Sequence, residues 1–169
     1  TIEILNIIDN DEIGEIQSFE SNFGFKAKFN SSSRIFDKSL GGGVVFDLGC
    51  YPLSFFMLLT KNPEMIVIDS KTLSYAKSGV DDDATAILNY NNKINGKIHI
   101  SFRNNLDNIS IIRGSKGFIK IKEPWLPSKK SIIEISNKKH FYIKSINSKL
   151  SIYANQIEKV SESFSNKNS

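Results

Sequence analysis

The feature that most limits the possible folds is a long run of strand patterns at residues 65–146. Ile98, Ile100 and Phe102 alternate there with polar neighbours, which is typical of a strand with one buried face. Short turns rich in Asp, Asn and Gly separate successive segments of this kind. Parallel strands need a crossover of a dozen or more residues, usually a helix, and the run contains none. It therefore predicts consecutive hairpins in a largely antiparallel sheet and excludes a repeated βαβ fold.

Helical patterns lie on both sides of that run. Residues 2–13 have a short apolar period, and residues 44–59 are apolar nearly all round, which predicts a buried helix. A strand pattern at 15–25 lies between them. The chain ends in one apolar helical stripe, formed by Leu150, Tyr153, Ile157, Val160 and Phe164. We expect an α+β domain with six or seven strands and two or three helices. These helices are enough to cover only one face of the sheet, so we expect the other face to serve in oligomerisation.

Composition excludes several classes of protein. Forty per cent of the residues are apolar, so the chain is predicted to be globular. The net charge is +4, but the lysines are scattered, so we expect no nucleic-acid partner. We see no membrane-spanning apolar run and no signal peptide, so we expect no membrane partner. The single cysteine, Cys50, excludes an intrachain disulfide and is typical of a reducing, cytoplasmic compartment.

The most informative stretch for chemistry is GGGVVFDLGCYP at residues 41–52. Three glycines lead into a helix on which Asp47 and Tyr51, four residues apart, share one face. A carboxylate and a phenol beside a glycine-rich helix start fit a proton-transfer site; from the residues alone, the alternative of a tight turn followed by a core helix is favoured. Pro52 removes a helical hydrogen bond and predicts a kink or break that re-aims Tyr51.

Other reactive side chains give weaker signals. The acidic residues 81–83 could suggest a metal, but consecutive strand residues point to opposite faces, so a solvated turn is favoured and no metal site is expected. Cys50, in an apolar helix, is predicted to be an inert buried thiol. His99 alternates with polar neighbours and is expected on a surface or interface. Trp125, between two prolines, is expected to hold its loop on the core rather than to line a cleft.

Residues 41–52 resemble the GGGxxxDxGxY signature in the C-terminal domain of the Gfo/Idh/MocA oxidoreductases. Within that family the chain is most similar to the branch of glucose-fructose oxidoreductase and dimeric dihydrodiol dehydrogenase. The likeness continues in the family's order along nearly the whole chain. It is carried by GEI at 14–16, RIFD at 34–37, GVDDDATAIL at 79–88, GSKGFIKI at 114–121 and the closing helix from Tyr153.

The resemblance implies an enzyme of two domains. An N-terminal Rossmann domain binds NAD or NADP, and an α+β domain supplies substrate contacts and oligomer interfaces. Residues 1–169 match the second domain as a single unit, with 1–13 as the end of the preceding helix, and contain no GxGxxG motif. We therefore expect a piece of a longer protein, without its Rossmann domain, that by itself binds no NAD(P) and is inactive.

The resemblance also assigns roles to three residues. Tyr51 matches the catalytic Tyr or His that exchanges a proton with the substrate oxygen. Asp47 matches an acid that orients substrate hydroxyls or Tyr51, and Arg34 matches a loop arginine that contacts substrate or cofactor. A phenol acts as a base only near a cation, and the family's lysine lies on the Rossmann domain. The implied reaction is hydride transfer between NAD(P) and a sugar, polyol or related alcohol. A non-catalytic dimerisation or ligand-binding domain with the same fold is the alternative.

Overall fold

The computed structural model describes residues 1–148 and 152–167. Its helices are α1 (Ile2–Asp9), α2 (Cys50–Thr60) and α3 (Ile152–Lys167), and a π-helical turn (Val45–Gly49) leads directly into α2. The strands are β1 (Ile16–Gly24), β2 (Ile66–Tyr75), β3 (Asp81–Tyr90), β4 (Ile94–Ser101), β5 (Ile109–Gly114), β6 (Gly117–Lys122), β7 (Lys130–Asn137) and β8 (Phe141–Asn147). Eight strands therefore lie in the described residues, one more than the sequence suggested.

All eight strands form one open sheet in the order β2-β3-β4-β1-β5-β6-β7-β8. Every neighbouring pair is antiparallel except β1 and β4, which run parallel. The α+β class and the mainly antiparallel sheet are confirmed. The parallel pair was not predicted, because a hairpin pattern carries no information on where an earlier strand inserts. Because β1, β4 and β6 run in the same direction, the segments that follow these strands all begin at the same end of the sheet.

The sheet face that the helices cover holds the hydrophobic core. Ile112, Ile119 and Ile135, from three adjacent strands, are completely buried on this face. Helix α2 adds Phe56, whose ring stacks on Phe19 of β1 with centroids 5.7 Å apart. Alternation along each strand decides which side chains enter the core, because a strand places successive residues on opposite faces.

The opposite face of the sheet, which we call the open face, carries charges among aliphatic side chains. Glu20, Lys97, His99 and Ile111 line one shallow depression on it. Further along, Lys122 Nζ lies 2.7 Å from Glu134 Oε1. That hydrogen bond is the main cause of a lowered pKa for Glu134. The open face thus combines charged and aliphatic side chains.

The helix expected at residues 44–59 is buried on one side only. Phe55, Phe56 and Leu59 pack into the core. The opposite side is exposed, with Phe46 75% and Leu53 40% accessible. The prediction of a fully buried helix is therefore wrong, because a helix that is apolar all round gives no signal of which side is covered.

That helix belongs to a stretch, Lys38–Thr60, that is long and apolar enough to cross a membrane by length and composition. The same stretch is 44% buried inside the protein. It is also divided into 3-10, π- and α-helical pieces. A core helix passes the same test of length and composition, and the packing of Phe56 against the sheet matches that explanation.

The apolar stripe predicted for the last helix is present on α3, and it is exposed. Tyr153, Ile157 and Phe164 are each 67% accessible, and Val160 is 54% accessible. Leu150, which the sequence placed in the same stripe, lies outside the described residues. The described part of α3 therefore presents an apolar surface outward.

Candidate active site

Two of the three predicted site residues are in contact at the start of α2. Arg34 begins a short 3-10 turn (Arg34–Phe36), and Asp47 lies in the π-helical turn. The Nη2 group of Arg34 donates a hydrogen bond to Asp47 Oδ1. Asp47 is 20% exposed and Arg34 55% exposed at their side chains. The carboxylate is thus paired with a cation, one helical turn before Tyr51.

The glycines bring the Arg34 loop against the helix start. The amide of Gly42 donates to Asp37 O at 2.8 Å, and that of Gly43 to Ile35 O at 3.0 Å. A Cβ on Gly42 would lie 2.6 Å from the carbonyl oxygen of Arg34, closer than real Cβ contacts. Only a residue without a side chain permits this approach. The glycine run is therefore part of what positions Arg34 over Asp47.

The loop that carries Arg34 is also fixed from its other end. Asp37 accepts hydrogen bonds from the hydroxyl of Ser39 at 2.7 Å and from its amide at 2.8 Å. These bonds, the hydroxyl first, lower the pKa of Asp37. Phe36 is buried, with its ring 5.9 Å from that of Phe102. A hydrogen-bonded turn and an aromatic anchor thus restrict the movement of Arg34.

Tyr51 has a ring packed between aromatic neighbours and is partly exposed. Its ring meets that of Phe23 edge to face, with centroids 5.6 Å apart and an interplanar angle of 89°. The Trp125 ring lies 6.4 Å away on another side. The residue is 42% exposed, and no hydrogen bond of its phenol group is found within residues 1–148 and 152–167. The ring of Tyr51 is therefore held by aromatic neighbours while part of the residue stays accessible.

Trp125 pins its loop to the core, as the sequence predicted. It is 7% exposed, and its indole N–H donates to Asn22 O at 3.3 Å. It also contacts Phe55, with centroids 6.0 Å apart. Its contact with Tyr51 was missed, because nothing in the sequence connects positions 51 and 125. The same tryptophan therefore supports both the core and the ring of Tyr51.

The break predicted at Pro52 lies earlier in the structure: Tyr51 and Pro52 are both inside α2, and the winding changes from π to α after Gly49. Proline has no N–H, so the α-helical hydrogen bond from position 52 to the carbonyl of Leu48 cannot form. The wider turn Val45–Gly49 ends just before α2 begins. Single π-helical turns are frequent at functional sites. Here the change of winding lies between Asp47 and Tyr51.

The three consecutive acids of β3 go to three different partners. Asp81 Oδ2 accepts from the Val45 amide at 2.7 Å, and Asp82 Oδ1 from Arg103 Nε at 2.8 Å. Asp83 Oδ2 lies 3.3 Å from His99 Nε2. The carboxylates therefore do not converge on one point, and each has a structural role that the sequence did not indicate.

Cys50 is exposed, so the prediction of a buried thiol is wrong. Its Sγ lies 3.9 Å from the carbonyl oxygen of Asp47. The cause is the one noted above for α2: the helix covers the sheet with one side, and Cys50 lies on the other. The site therefore has an exposed thiol beside the phenol, the carboxylate and the guanidinium.

The arrangement has the groups that a hydroxylated substrate needs. A phenol can exchange a proton with an oxygen, and a carboxylate paired with a guanidinium can accept and donate hydrogen bonds to neighbouring hydroxyls. The exposed side of this helical segment is apolar, with Phe46 and Leu53. The roles of Tyr51, Asp47 and Arg34 in a reaction stay predictions.

Known proteins are similar to this chain in sequence and in fold. Residues 2–120 match the model of the GFO/IDH/MocA C-terminal domain. The trans-1,2-dihydrobenzene-1,2-diol dehydrogenase of Xenopus tropicalis is 28% identical over 142 residues, 83% of this chain and 42% of that protein. The enzyme of the same name from Mus musculus is 30% identical over 118 residues, 69% of this chain and 34% of that protein. The chain thus spans less than half the length of these curated relatives.

Solved structures agree on the fold. Aldose-aldose oxidoreductase from Caulobacter crescentus, complexed with glycerol, has a TM-score of 0.84 at 17% identity over 98% of this chain and 50% of that one. KijD10, a 3-ketoreductase from Actinomadura kijaniata in complex with NADP, has a TM-score of 0.79 at 18% identity over 96% of this chain and 48% of that one. Together with the match over residues 2–120, these findings show that the chain belongs to the GFO/IDH/MocA family, in which it corresponds to the C-terminal domain.

Proposed function

We propose that this chain is the substrate-binding and oligomerisation domain of an NAD(P)-dependent oxidoreductase. The reaction is hydride transfer between the nicotinamide and the carbinol carbon of a sugar, polyol or related alcohol such as a dihydrodiol. The observation that carries the proposal is the site at the start of α2, where the Arg34–Asp47 pair lies one turn from Tyr51, which is 42% exposed. The names of the relatives, which are dehydrogenases and a ketoreductase, support the same reaction class.

Tyr51 exchanges the proton in this proposal. When an alcohol is oxidised, its hydroxyl proton goes to the Tyr51 oxygen in its phenolate form, and its carbon loses a hydride; reduction starts from the neutral phenol and reverses both transfers. NAD(P), when bound, accepts or supplies that hydride. The fixed ring of Tyr51 against Phe23 supports this role, because proton transfer requires a defined position of the donor oxygen.

Asp47 and Arg34 bind and orient the substrate. The second oxygen of Asp47 accepts hydrogen bonds from hydroxyls next to the reacting carbon. Arg34 balances the charge of that carboxylate and restricts its orientation through the bond to Oδ1. A substrate with two or more neighbouring hydroxyls uses both groups, which favours sugars, polyols and vicinal diols over simple alcohols.

The dinucleotide binds on a second domain that covers the exposed side of α2. Phe46, Leu53 and Leu58 lie on that side, and exposed apolar patches mark interaction surfaces. A domain placed there brings the nicotinamide and a catalytic cation next to Tyr51. Residues 1–169 alone therefore bind no NAD(P)H and catalyse no hydride transfer.

The test compares two proteins. One is residues 1–169 alone, and the other, called the joined protein, carries the proposed dinucleotide-binding domain in front of the same residues. NADPH fluorescence is titrated with each protein, and NADP⁺ reduction is then followed with a trans-dihydrodiol, D-xylose and glycerol as substrates. The joined protein is expected to bind NADPH and to oxidise at least one substrate. Residues 1–169 are expected to do neither. Micromolar NADPH binding by residues 1–169 alone would contradict the proposal that the dinucleotide binds on a second domain.

A matched pair of variants tests Tyr51 in the joined protein. Tyr51→Phe removes only the hydroxyl and is expected to lower kcat by about 100-fold or more, the usual contribution of general acid–base catalysis. Tyr75→Phe removes the hydroxyl of another exposed tyrosine, on the edge strand β2, and is expected to leave kcat unchanged. Equal activities of the two variants would exclude the assigned role of Tyr51.

The alternative function, a non-catalytic dimerisation or ligand-binding domain, is favoured by one observation. Asp47 is already paired with Arg34, so the pair is a structural link even where no substrate binds. This alternative predicts that the joined protein binds no NADPH and that Tyr51→Phe changes no measured rate. The fluorescence titration therefore separates the two functions directly.

A further inference from the structure

The helix that carries the site is held at its start by a side chain from the sheet. The first N–H groups of any helix lack partners within the helix and need acceptors from elsewhere. No side chain of the segment itself caps the turn Val45–Gly49. Instead, the Val45 amide donates to Oδ2 of Asp81 at 2.7 Å, from a residue 36 positions further along the chain. A carboxylate at this end also interacts favourably with the helix dipole.

Gly43 makes the approach of Asp81 possible. Its φ is +124°, a conformation that L side chains rarely adopt, and a Cβ there would lie 2.6 Å from Asp81 Oδ1. The carbonyl oxygen of the same glycine accepts the amide of Asp47 at 3.1 Å. One peptide segment therefore touches Asp81 on one side and holds the backbone of Asp47 on the other.

Asp81 is itself fixed by the sheet. It pairs with Tyr75 at the first position of β3. Its neighbour Asp82 accepts the Arg103 guanidinium through its side chain, and the Phe102 amide, at 2.8 Å, through its backbone. The acceptor for Val45 thus lies where the start of β3 is hydrogen-bonded to the residues that follow β4. A contact made from this place sets the position of the helix start relative to the sheet.

We propose that Asp81 is a positioning residue of the active site. Its carboxylate fixes the first turn of the helix, so that Asp47 meets Arg34 and Tyr51 points outward at a constant place. It acts through Val45 and Gly43. The functional part of this inference rests on the proposed function; the structural part does not.

Amide hydrogen exchange on residues 1–169 tests the structural part. Asp81→Ala is expected to speed exchange at the amides of Val45 and Asp47 by about 10-fold, the effect of losing roughly 1.4 kcal/mol of local protection. Exchange at Ile112 and Ile119, in the buried strands, is expected to stay unchanged. Asp81→Asn keeps an oxygen acceptor and is expected to restore most of the protection.

A neighbouring acid provides the control for this measurement. Asp83→Ala, two residues along the same strand, removes the contact with His99 and is expected to leave the Val45 amide protected. Unchanged protection at Val45 in Asp81→Ala would overturn the inference. Equal loss of protection over the whole chain would also overturn it, because it would show a global effect on stability. If Asp81→Ala does not fold, Asp81→Leu, which keeps the branched shape of the side chain without an acceptor for the Val45 amide, is compared with Asp83→Leu in the same way.

A double-mutant cycle tests the contact between Gly43 and Asp81. Gly43→Ala places a methyl group against the Asp81 carboxylate in the wild-type background, and against much less in the Asp81→Ala background. The two substitutions together are therefore expected to speed exchange at Asp47 by less than the product of their separate effects. A purely multiplicative result would show that the two residues do not act together.

Steady-state kinetics of the joined protein test the functional part. Asp81→Ala is expected to lower kcat by about 10- to 100-fold, as small misplacements of catalytic groups do, with little change in KM and with recovery in Asp81→Asn. An active joined protein whose kcat survives Asp81→Ala would refute the positioning role and leave the proposed function standing. A joined protein with no dehydrogenase activity would refute the proposed function, while the exchange result would still decide the structural part.

Discussion

The two faces of the sheet differ in how deeply their side chains are buried. Two adjacent residues of β5 show this difference. Ile112 is completely buried on the covered face, under the helices. Ile111 lies on the open face, in a depression that it shares with Glu20, Lys97 and His99. The same residue type therefore serves folding at one position and is available to a partner at the next.

The candidate site lies where the covered face ends. The ring of Tyr51 packs on Phe23, which is buried in the core, while Tyr51 itself is 42% exposed. Asp47 and Arg34 lie on turns that precede α2. Burial thus fixes the carbon skeleton of the site and leaves its polar atoms accessible, which is the division that a binding site requires.

The largest expected effect separates the two faces by stability. Ile112→Ala removes a completely buried side chain and is expected to lower the free energy of unfolding by about 2–5 kcal/mol. Ile111→Ala, one residue away on the open face, is expected to cost about 1 kcal/mol or less. Urea unfolding of both variants measures the difference. Equal losses would mean that the open face is packed as tightly as the covered one.

The next effect tests whether the boundary between the faces fixes Arg34. Gly42→Ala brings a Cβ within 2.6 Å of a backbone oxygen, so the loop must shift, at an expected cost of about 1–3 kcal/mol. Gly41→Ala meets nothing within 4 Å and adds only the strain of a φ of +69°, about 1–2 kcal/mol. NMR signals of the Arg34 guanidinium are expected to move in the first variant and not in the second. Identical spectra would show that the loop position does not depend on Gly42.

A smaller effect on stability, but a clear one on assembly, tests the open face. We propose that this face pairs two chains, so Ile111→Lys is expected to shift sedimentation equilibrium towards monomer while unfolding changes by about 1 kcal/mol or less. Ile68→Lys, on the edge strand β2, changes an exposed apolar residue on the other side of the sheet, opposite the buried Leu88, and is expected to leave association unaltered. A wild-type chain that stays monomeric at high concentration would contradict the proposal.

The smallest effect concerns a polar contact at the margin of the covered face. The Tyr142 hydroxyl donates to Glu12 Oε2 at 2.5 Å, and this hydrogen bond is the main cause that raises the pKa of Tyr142 to about 12. Because the unfolded phenol titrates near 10, the contact stabilises the fold fully below about pH 10. Its contribution is expected to disappear as the pH rises from about 10 to 12.

Unfolding measured at successive pH values compares Tyr142→Phe with the wild type. The variant is expected to lose less stability than the wild type between about pH 10 and 12, because it lacks the titrating phenol. Tyr153→Phe, an exposed tyrosine of α3, is the control and is expected to follow the wild type. Parallel curves for all three proteins would show that the contact with Glu12 adds nothing.

Much of the fold could be predicted because its signals are local. Alternation around Ile98 and Ile100 gave β4, and the glycines near positions 114 and 117 gave the β5–β6 hairpin. The family resemblance supplied the roles proposed for Tyr51, Asp47 and Arg34, which no periodicity contains. Local patterns and a specific motif thus led to the same α+β domain.

The parts that could not be predicted depend on contacts between distant positions. The bond from Val45 to Asp81 and the packing of Tyr51 beside Trp125 join residues with no relation in the sequence. Which side of α2 is covered was equally inaccessible, because its apolar residues surround the helix, and this led to the wrong prediction for Cys50. Such features follow from how elements pack rather than from any single segment.

The central place of β1 has a consequence during synthesis. The strand pairs with β4 and β5, both of which come from the second half of the chain. At about 5–20 residues per second, β1 leaves the ribosome several seconds before either partner exists. Phe19 and Phe23, which are buried in the finished sheet, have no strand beside them in that interval. A nascent chain that pauses before residue 94 therefore displays two unpaired strand edges and their phenylalanines to any chaperone nearby.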